Sequence, residues 1–393
     1  MLSEETRTII KATVPALEQH GTEITSTFYQ NMLNDHKELL NIFNRANQTK
    51  GLQSTALATT VLAAAKNIDN LAALLPHVRQ IGHKHRALQV KPEHYPIVGE
   101  YLLKAIKQVL GDAANQTILD AWAEAYGVIA QIFIDVEAEL YAKEAWDGWK
   151  SFRVVKREDV GGSVLEFTVQ PIDEASTPAI VPGQYITVKA HPTAQDNQYD
   201  ALRHYSICSS SGKEGLKFAV KKAHSDDHDG LVSTYLHENV KVGDTVELSA
   251  PAGDFNLNES LIEQNDIPLV FLSSGVGSTP LLAMLEKQIA TNKSRPIVWI
   301  ETAYNAANQP FAAQIKKLSD GVQDMKVFTV HTESTSRIDD AYLAKVMPSN
   351  SDVYVSGSIG FVEDMIDSLN KLNHREELIH YEPFGQKMAT VKV

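Results

Sequence analysis

Cysteine is almost missing from this chain: Cys208 is the only one in 393 residues. A single thiol excludes an internal disulfide, and it leaves no ligand set for a zinc or iron–sulfur site built on cysteines. Long apolar runs are missing too, since none approaches the roughly eighteen residues that a membrane helix needs. Basic residues number 36 against 49 acidic ones, and the net charge of −13 argues against a nucleic-acid partner or an anionic membrane surface. The opening MLSEETRTII carries acid where a signal or transit peptide carries base. What is present is ordinary for a globular protein, 43% hydrophobic and 22% charged residues. A chain this long exceeds one hydrophobic core and predicts two or three domains. The expectation is a cytoplasmic monomer acting on small molecules, with no nucleic acid and no integral membrane association.

Three patterns follow one another. Residues 1–146 read as helical. Ser3 caps a helix with Ile9, Ile10 and Val14 on its apolar face, Gly21 ends it, and further helices are predicted over 23–33, 52–66, 71–86, 93–110 and 116–142. Residues 147–260 hold short alternating runs, SFRVVKRE, SVLEFTVQ, QYITVKA, RHYSICS, LKFAVKK and TVELSA. Six strands at that spacing predict an antiparallel β-barrel. Over 261–393 the runs PLVFLSS, RPIVWIET, MKVFTVHT, DVYVSGS and ELIHYEP alternate with helical stretches starting near 280, 311, 338 and 361. That is the pattern of an α/β, doubly wound parallel sheet. The fold class is therefore multidomain: all-α, then barrel, then α/β.

In the helical region, Leu74, Val78, Ile81 and His85 fall on one face of a helix, whereas His83 points the other way, into solvent. An imidazole ending an apolar stripe is either a satisfied core histidine or a metal ligand. Tyr95 shares a face with Val98, Leu102 and Ile106, and Glu137 sits on the stripe Tyr126, Ala130, Phe133, Leu140. A carboxylate there is costly without a partner. Three polar groups on three apolar stripes suggest a buried network in which Glu137 orients His85 and Tyr95 completes the chain. The alternative is a chance set of polar residues near helix ends.

The segments Phe28-Tyr29, Ile42-Phe43, Gln53 with Leu57, Ile81–His85, Lys91–Glu100 and Ala121–Gly127 resemble the globin domain of flavohaemoglobins, the yeast members above all. The resemblance continues to the C-terminus. It implies haem b held by His85 as proximal iron ligand, with Glu137 and Tyr95 as its hydrogen-bonded partners. It further implies Tyr29 as the distal donor to oxygen, Gln53 and Leu57 lining the distal side, and Phe43 packed on the haem. A histidine that donates to a carboxylate gains imidazolate character and pushes electron density onto iron. Enzymes that activate the O–O bond need that push and oxygen stores do not, so Glu137 argues for catalysis.

In the second region, Arg203-His204-Tyr205-Ser206 alternates on a strand, so that Arg203 and Tyr205 share a face, one suited to a diphosphate and the other to a flat ring. With Pro182-Gly183-Gln184-Tyr185 upstream and Gly230-Leu231-Val232-Ser233 and Ala250–Gly253 downstream, the set resembles the FAD domain of the ferredoxin–NADP reductase superfamily. In the third region, PLVFLSS runs into Gly275-Val276-Gly277-Ser278-Thr279-Pro280 and a helix. Glycines there let a backbone approach a pyrophosphate at a helix N-terminus. Pro280 replaces the third glycine of the dinucleotide fingerprint and suits the first helical position. Two departures from the superfamily stand out: Ser356-Gly357 where Cys-Gly is usual, and Gln386 at the end of Pro383-Phe384-Gly385-Gln386, a segment that resembles the flavin cover. The resemblance implies that Lys84 and Glu382 link the globin and the reductase and tune the haem and flavin potentials; read as plain residues they are two solvated charges. Cys208 reads as a buried core thiol. Ser336-Arg337 suits a 2′-phosphate, but Glu333 is close by, so NADH and NADPH both stay open. The resemblance implies electrons passing from NADH or NADPH through FAD to the haem, where nitric oxide and O2 become nitrate. Two rival readings are an oxygen sensor or store whose reductase only keeps the haem reduced, and a general reductase for foreign acceptors.

Overall fold

Ser3 starts the first helix as its sequence position demands. Its backbone is extended and its hydroxyl accepts from Thr6 N at 3.0 Å, satisfying one of the amides a helix start leaves open. The structure is a computed structural model and describes residues 2–43, 51–173, 177, 179–194, 197–224, 229–335 and 337–385, with Leu52 described by its backbone alone. Its packing divides the chain into two compact units, Met1–Gly148 with Asn197–Leu202, and Trp149–Asp196 with Arg203–Val393.

The first unit holds α1 (Glu4–Asp35), a 3₁₀ turn at Lys37–Asn41, α2 (Leu52–Lys66), a 3₁₀ turn at Leu71–Leu74, α3 (Leu75–Ala87), α4 (His94–Leu110) and α5 (Gln116–Tyr141). Its main core is Phe28, Met32, Leu102, Ile106 and Trp122, and a second cluster forms around Tyr95, Phe133 and Leu140. Gly21 does not end the first helix. It is buried inside α1, where an added Cβ would stand 3.5 Å from Ala58, so the glycine serves helix packing rather than termination. One helix, α5, is after all long and apolar enough by composition to cross a membrane. Its apolar positions go to the helical core, where Ala121, Trp122, Phe133 and Leu140 are buried. His83 also departs from expectation, being half-buried, because a helix packed along one side partly covers the flanking positions too.

The second unit opens with β1 (Trp149–Asp159), β2 (Val164–Pro171), β3 (Tyr185–Ala190), β4 (Ala201–Ser206, its first two residues counted with the first unit), β5 (Leu216–Lys221), α6 (Leu231–Glu238) and β6 (Thr245–Ser249). The sheet order is β4-β3-β6-β1-β2-β5, and an antiparallel bridge from Ile207 to Phe218 joins its two edges into a barrel. Phe167 and Phe218 stack inside at 5.4 Å.

The α/β part follows: β7 (Leu269–Ser274), α7 (Ser278–Thr291), β8 (Ile297–Ala303), α8 (Ala312–Asp320), β9 (Met325–His331), α9 (Asp340–Val346), β10 (Asp352–Gly357), α10 (Ile359–Lys371) and β11 (Ile379–Pro383). All four strand pairings are parallel, in the order β11-β10-β7-β8-β9. The chain leaves β7 toward β8 and returns on the other side at β10. The carboxyl ends of β7 and β10 therefore frame the switch point where such sheets bind ligands.

Candidate functional sites

On α3, His85 faces α4 and α5. Its Nδ1 lies 2.7 Å from Glu137 Oε1, and Tyr95 donates its hydroxyl to the same oxygen at 2.6 Å. Tyr95 O–H also stands 3.3 Å from His85 Nδ1, closing the triangle. Since the carboxylate accepts, Nδ1 carries the proton and Nε2 is the ring nitrogen left for a metal. Glu137 is 3% exposed, and both partners satisfy it where burial alone would be costly. Burial, and then the neighbouring carboxylate, hold the Tyr95 phenol above the usual tyrosine range. Tyr126 donates to Tyr95 O at 2.7 Å and so fixes the start of α4. The triad comes from three helices because α3 and α5 cross at Gly82, where an added Cβ would press Leu140 Cδ1 at 3.1 Å.

Tyr29, on α1, is half-buried between Phe28 at 4.7 Å and Phe43 at 5.6 Å, both edge to face. Its hydroxyl makes no hydrogen bond among the described residues, and burial raises its pKa. Gln53 and Leu57 lie on α2, both half-buried, with Leu57 packed on the helical core. A pocket that is almost wholly apolar opens between α2, α3 and α5, lined by Thr60, Ala64, Leu74, Val78, Ile81 and Phe133 among others. Phe133, which lines that slot, has its ring 6.0 Å from the His85 ring, and His85 Nε2 makes no hydrogen bond among the described residues; an imidazole nitrogen and an apolar slot are what a flat, apolar iron macrocycle requires.

On the barrel, Arg203 and Tyr205 lie on one face of β4, and burial works against the charge of Arg203. Tyr205 packs 5.7 Å from Phe218, and burial raises its phenol. His204 is exposed on the other face; its Nδ1 is 2.8 Å from Thr187 Oγ1, and its ring lies 4.9 Å from Tyr185. Ser206 ends the strand. Gly230 caps α6, which also carries Val232, fully buried, and Ser233. The Ser233 hydroxyl is engaged locally, accepting from Ala223 N and donating to Gly230 O.

After β7, Gly275–Gly277 forms one 3₁₀ turn into α7. Gly275 has φ +53° and open space where a Cβ would be, while a Cβ on Gly277 would run into the backbone oxygen of Ser356. The first glycine thus makes the turn and the second lets β7's loop lie on β10's end. Val276 packs into the core; Ser278 and Thr279 donate back to the carbonyls of Gly275 and Val276. Pro280 stands third in α7 rather than first, still within the turn whose amides have no helical partner. Ser356 donates to Glu382 O at 3.0 Å, and Phe384 N donates to Gly357 O at 2.8 Å. Pro383 is buried, Phe384 and Gly385 are exposed, and Gln386 and Ser336 lie outside the described residues. Lys84 on α3 and Glu382 on β11 are half-buried.

The sequence matches the globin family model over residues 26–133 and an oxidoreductase FAD-binding domain model over residues 151–257. A flavohemoprotein from Bacillus subtilis is 41% identical over 406 residues, covering 99% of both chains. The chain belongs to the flavohaemoproteins. A flavohemoglobin from Malassezia yamatoensis, whose crystal structure holds bound FAD and heme, superposes with a TM-score of 0.85 at 29% identity over 98% of this chain and 100% of its own. The FAD/NAD binding domain of a nitric oxide dioxygenase from Vibrio cholerae is similar over 60% of this chain and 98% of its own, with 30% identity and a TM-score of 0.50. This flavohaemoprotein is an oxidoreductase that joins a globin to a ferredoxin–NADP reductase-like module, the arrangement for NAD(P)H-driven haem redox activity.

Two features were not visible as sequence motifs. One rung of the parallel sheet reads Glu382–Ser356–Ser273–Glu301–Thr329 across all five strands. Within it Glu301 is fully buried, and burial pushes its carboxyl up to about 7 even though Trp299 and Gln309 donate to it. A glutamate inside the apolar run PIVWIETA was the available signal. The other is Arg86, buried beside His85 and paired with Glu144; its adjacency to a predicted ligand was the only hint.

Proposed function

We propose that this flavohaemoprotein is a nitric oxide dioxygenase, converting nitric oxide and O2 to nitrate with electrons from NADH or NADPH. The observation that carries this reading is the grip of Glu137 on His85, joined in one chain to a flavin reductase. The functional domains are 1–146 for haem b, 147–260 for FAD and 261–393 for the nicotinamide nucleotide. When bound, the haem supplies the iron at which O2 is reduced by one electron, and FAD splits the two-electron donor into single steps. His85 offers Nε2 to the iron and keeps its proton on Nδ1, where Glu137 holds it; the more fully the carboxylate takes that proton, the more electron density His85 releases. Tyr95 shares Oε1 and so tempers the pull. On the distal side, Tyr29 supplies a phenol donor, with Phe43, Gln53 and Leu57 shaping the space around it. Arg203 pairs with the FAD diphosphate, and Tyr185, Tyr205 and Phe384 offer rings to the flavin. The Gly275–Pro280 turn offers backbone amides to the nucleotide pyrophosphate. His204, Ser206, Gly230, Val232, Ser233, Pro383, Gly385 and Gln386 complete the cofactor walls, and Lys84 and Glu382 tune the two potentials. The protein works as a cytoplasmic monomer. The test is nitrate formed per NADH consumed under limited nitric oxide and excess O2. One NADH serving two nitrate ions is expected; NADH oxidation that leaves nitric oxide unconsumed would refute the reading.

A further inference from the structure

Arg86 follows His85 directly, and its guanidinium Nη1 stands 3.4 Å from Glu144 Oε2, with side chains only 5% and 6% exposed. Glu144 lies just past the end of α5, the helix that supplies Glu137, and before β1 begins at Trp149. Consecutive helix residues point about 100° apart. His85 and Arg86 are therefore gripped from two directions by one stretch of chain, by Glu137 and by Glu144. Turning α3 about its axis in either sense lengthens one of the two contacts. The turn after α3 is held by the same stretch: Tyr141 donates to Val90 O at 2.6 Å, and Lys91 Nζ lies 4.5 Å from the Tyr141 ring. One turn earlier, Gly82 brings α3 against Leu140 and Glu137, so a rotation has no slack to use.

We propose that Arg86 and Glu144 are a positioning pair that fixes the rotation of the proximal helix, and with it the plane of the His85 ring. The proposal rests on His85 being the haem ligand. It makes the segment entering the reductase a second determinant of the iron–histidine bond, beside Glu137. A buried pair of this kind is poorly explained as a source of stability, since apolar replacements of similar volume often fold as well.

That property supplies the test. In the haem-loaded, full-length protein, Glu144→Gln keeps the shape and deletes the charge, and the double variant Arg86→Met/Glu144→Met deletes the pair while keeping the packing. The readouts are the iron–histidine stretching band of the reduced protein by resonance Raman, and the rate of haem loss to excess apo-globin. Both variants should shift the band and speed haem loss several-fold, short of the roughly ten- to hundred-fold that removing a direct hydrogen-bond partner of a metal ligand costs. Flavin reduction by NADH should keep its parental rate. Parental bands and loss rates in both variants would overturn the proposal. If the parent itself showed no iron–histidine band, the haem reading would fail and carry this inference with it.

Discussion

Glu137→Gln and Tyr95→Phe should move the haem potential in opposite directions. Both donors converge on one oxygen: His85 Nδ1 at 2.7 Å and Tyr95 O–H at 2.6 Å from Glu137 Oε1. Glutamine keeps the volume of the buried side chain but replaces a charged acceptor with a neutral one. A hydrogen bond to a charged group is worth about 1.5–3 kcal/mol and a neutral one about 0.5–1.5 kcal/mol, so His85 loses on the order of 1–1.5 kcal/mol of pull on its proton. The oxidised iron depends most on that pull. The midpoint should rise by up to about 40–70 mV for one electron. Tyr95→Phe removes the competing donor and leaves Oε1 wholly to His85, so the midpoint should fall by a smaller amount. A spectroelectrochemical titration of haem and flavin in the same sample is the assay, with the flavin potential as internal control. Shifts of the same sign in the two variants, or none, would refute the shared-oxygen argument even if haem stays bound.

Tyr29→Phe keeps the ring contacts with Phe28 and Phe43 and deletes a hydroxyl that has no protein partner among the described residues, so folding should barely change. If that hydroxyl donates to oxygen, about 1.5–3 kcal/mol is lost and oxygen should dissociate roughly ten- to a hundred-fold faster by stopped flow; a parental rate would make Tyr29 a packing residue only. Arg203→Ala should weaken FAD by about ten- to a hundred-fold, read by equilibrium dialysis, with haem content unchanged; full flavin retention would remove Arg203 from the diphosphate. Glu301 has a folded pKa of about 7 against an ordinary 4.5. Its contribution is fully present below about pH 4.5 and is lost as pH rises through 7, about 3 kcal/mol in all. Glu301→Gln should therefore melt higher than the parent at pH 8 and lose that advantage by pH 5; equal differences at both would show that the carboxyl does not titrate in the fold.

Periodicity made most of the architecture legible, because strands of alternating or wholly apolar residues and helices with one apolar face announce their burial. The six barrel strands and five parallel strands stand where those runs lie, and His85, Tyr95 and Glu137 meet because each interrupts such a stripe. Gly21 misled because glycine both ends helices and permits close helix contact, and only the neighbour, Ala58, decides between them. Scattered acids such as Asp120 and Glu124 break the apolar runs of α5, so a helix apolar enough by composition to cross a membrane shows no long apolar run; its apolar positions belong to the helical core. The helix α6, only eight residues long, is too short to show a stripe in the sequence, so the Gly230–Ser233 motif carried no helix with it. Arg86 with Glu144, and the polar rung through Ser273 and Glu301, depend on pairing across elements far apart in the chain, which no local pattern encodes.

All six residues of β10 are buried: Tyr354 packs into one core layer and Val353 and Val355 into another, while β7 and β11 pair its two backbone edges. β11 comes last in the sheet and is short, Ile379–Pro383, yet it alone keeps β10 from being an edge. Cutting the chain before Ile379 would therefore do more than strip Phe384 from its place beside Gly357. It would leave an apolar strand, Val353-Tyr354-Val355, with a row of open amides and carbonyls ready to pair with another molecule. Such a truncation should show its damage first as aggregation, before any loss of electron transfer could be measured.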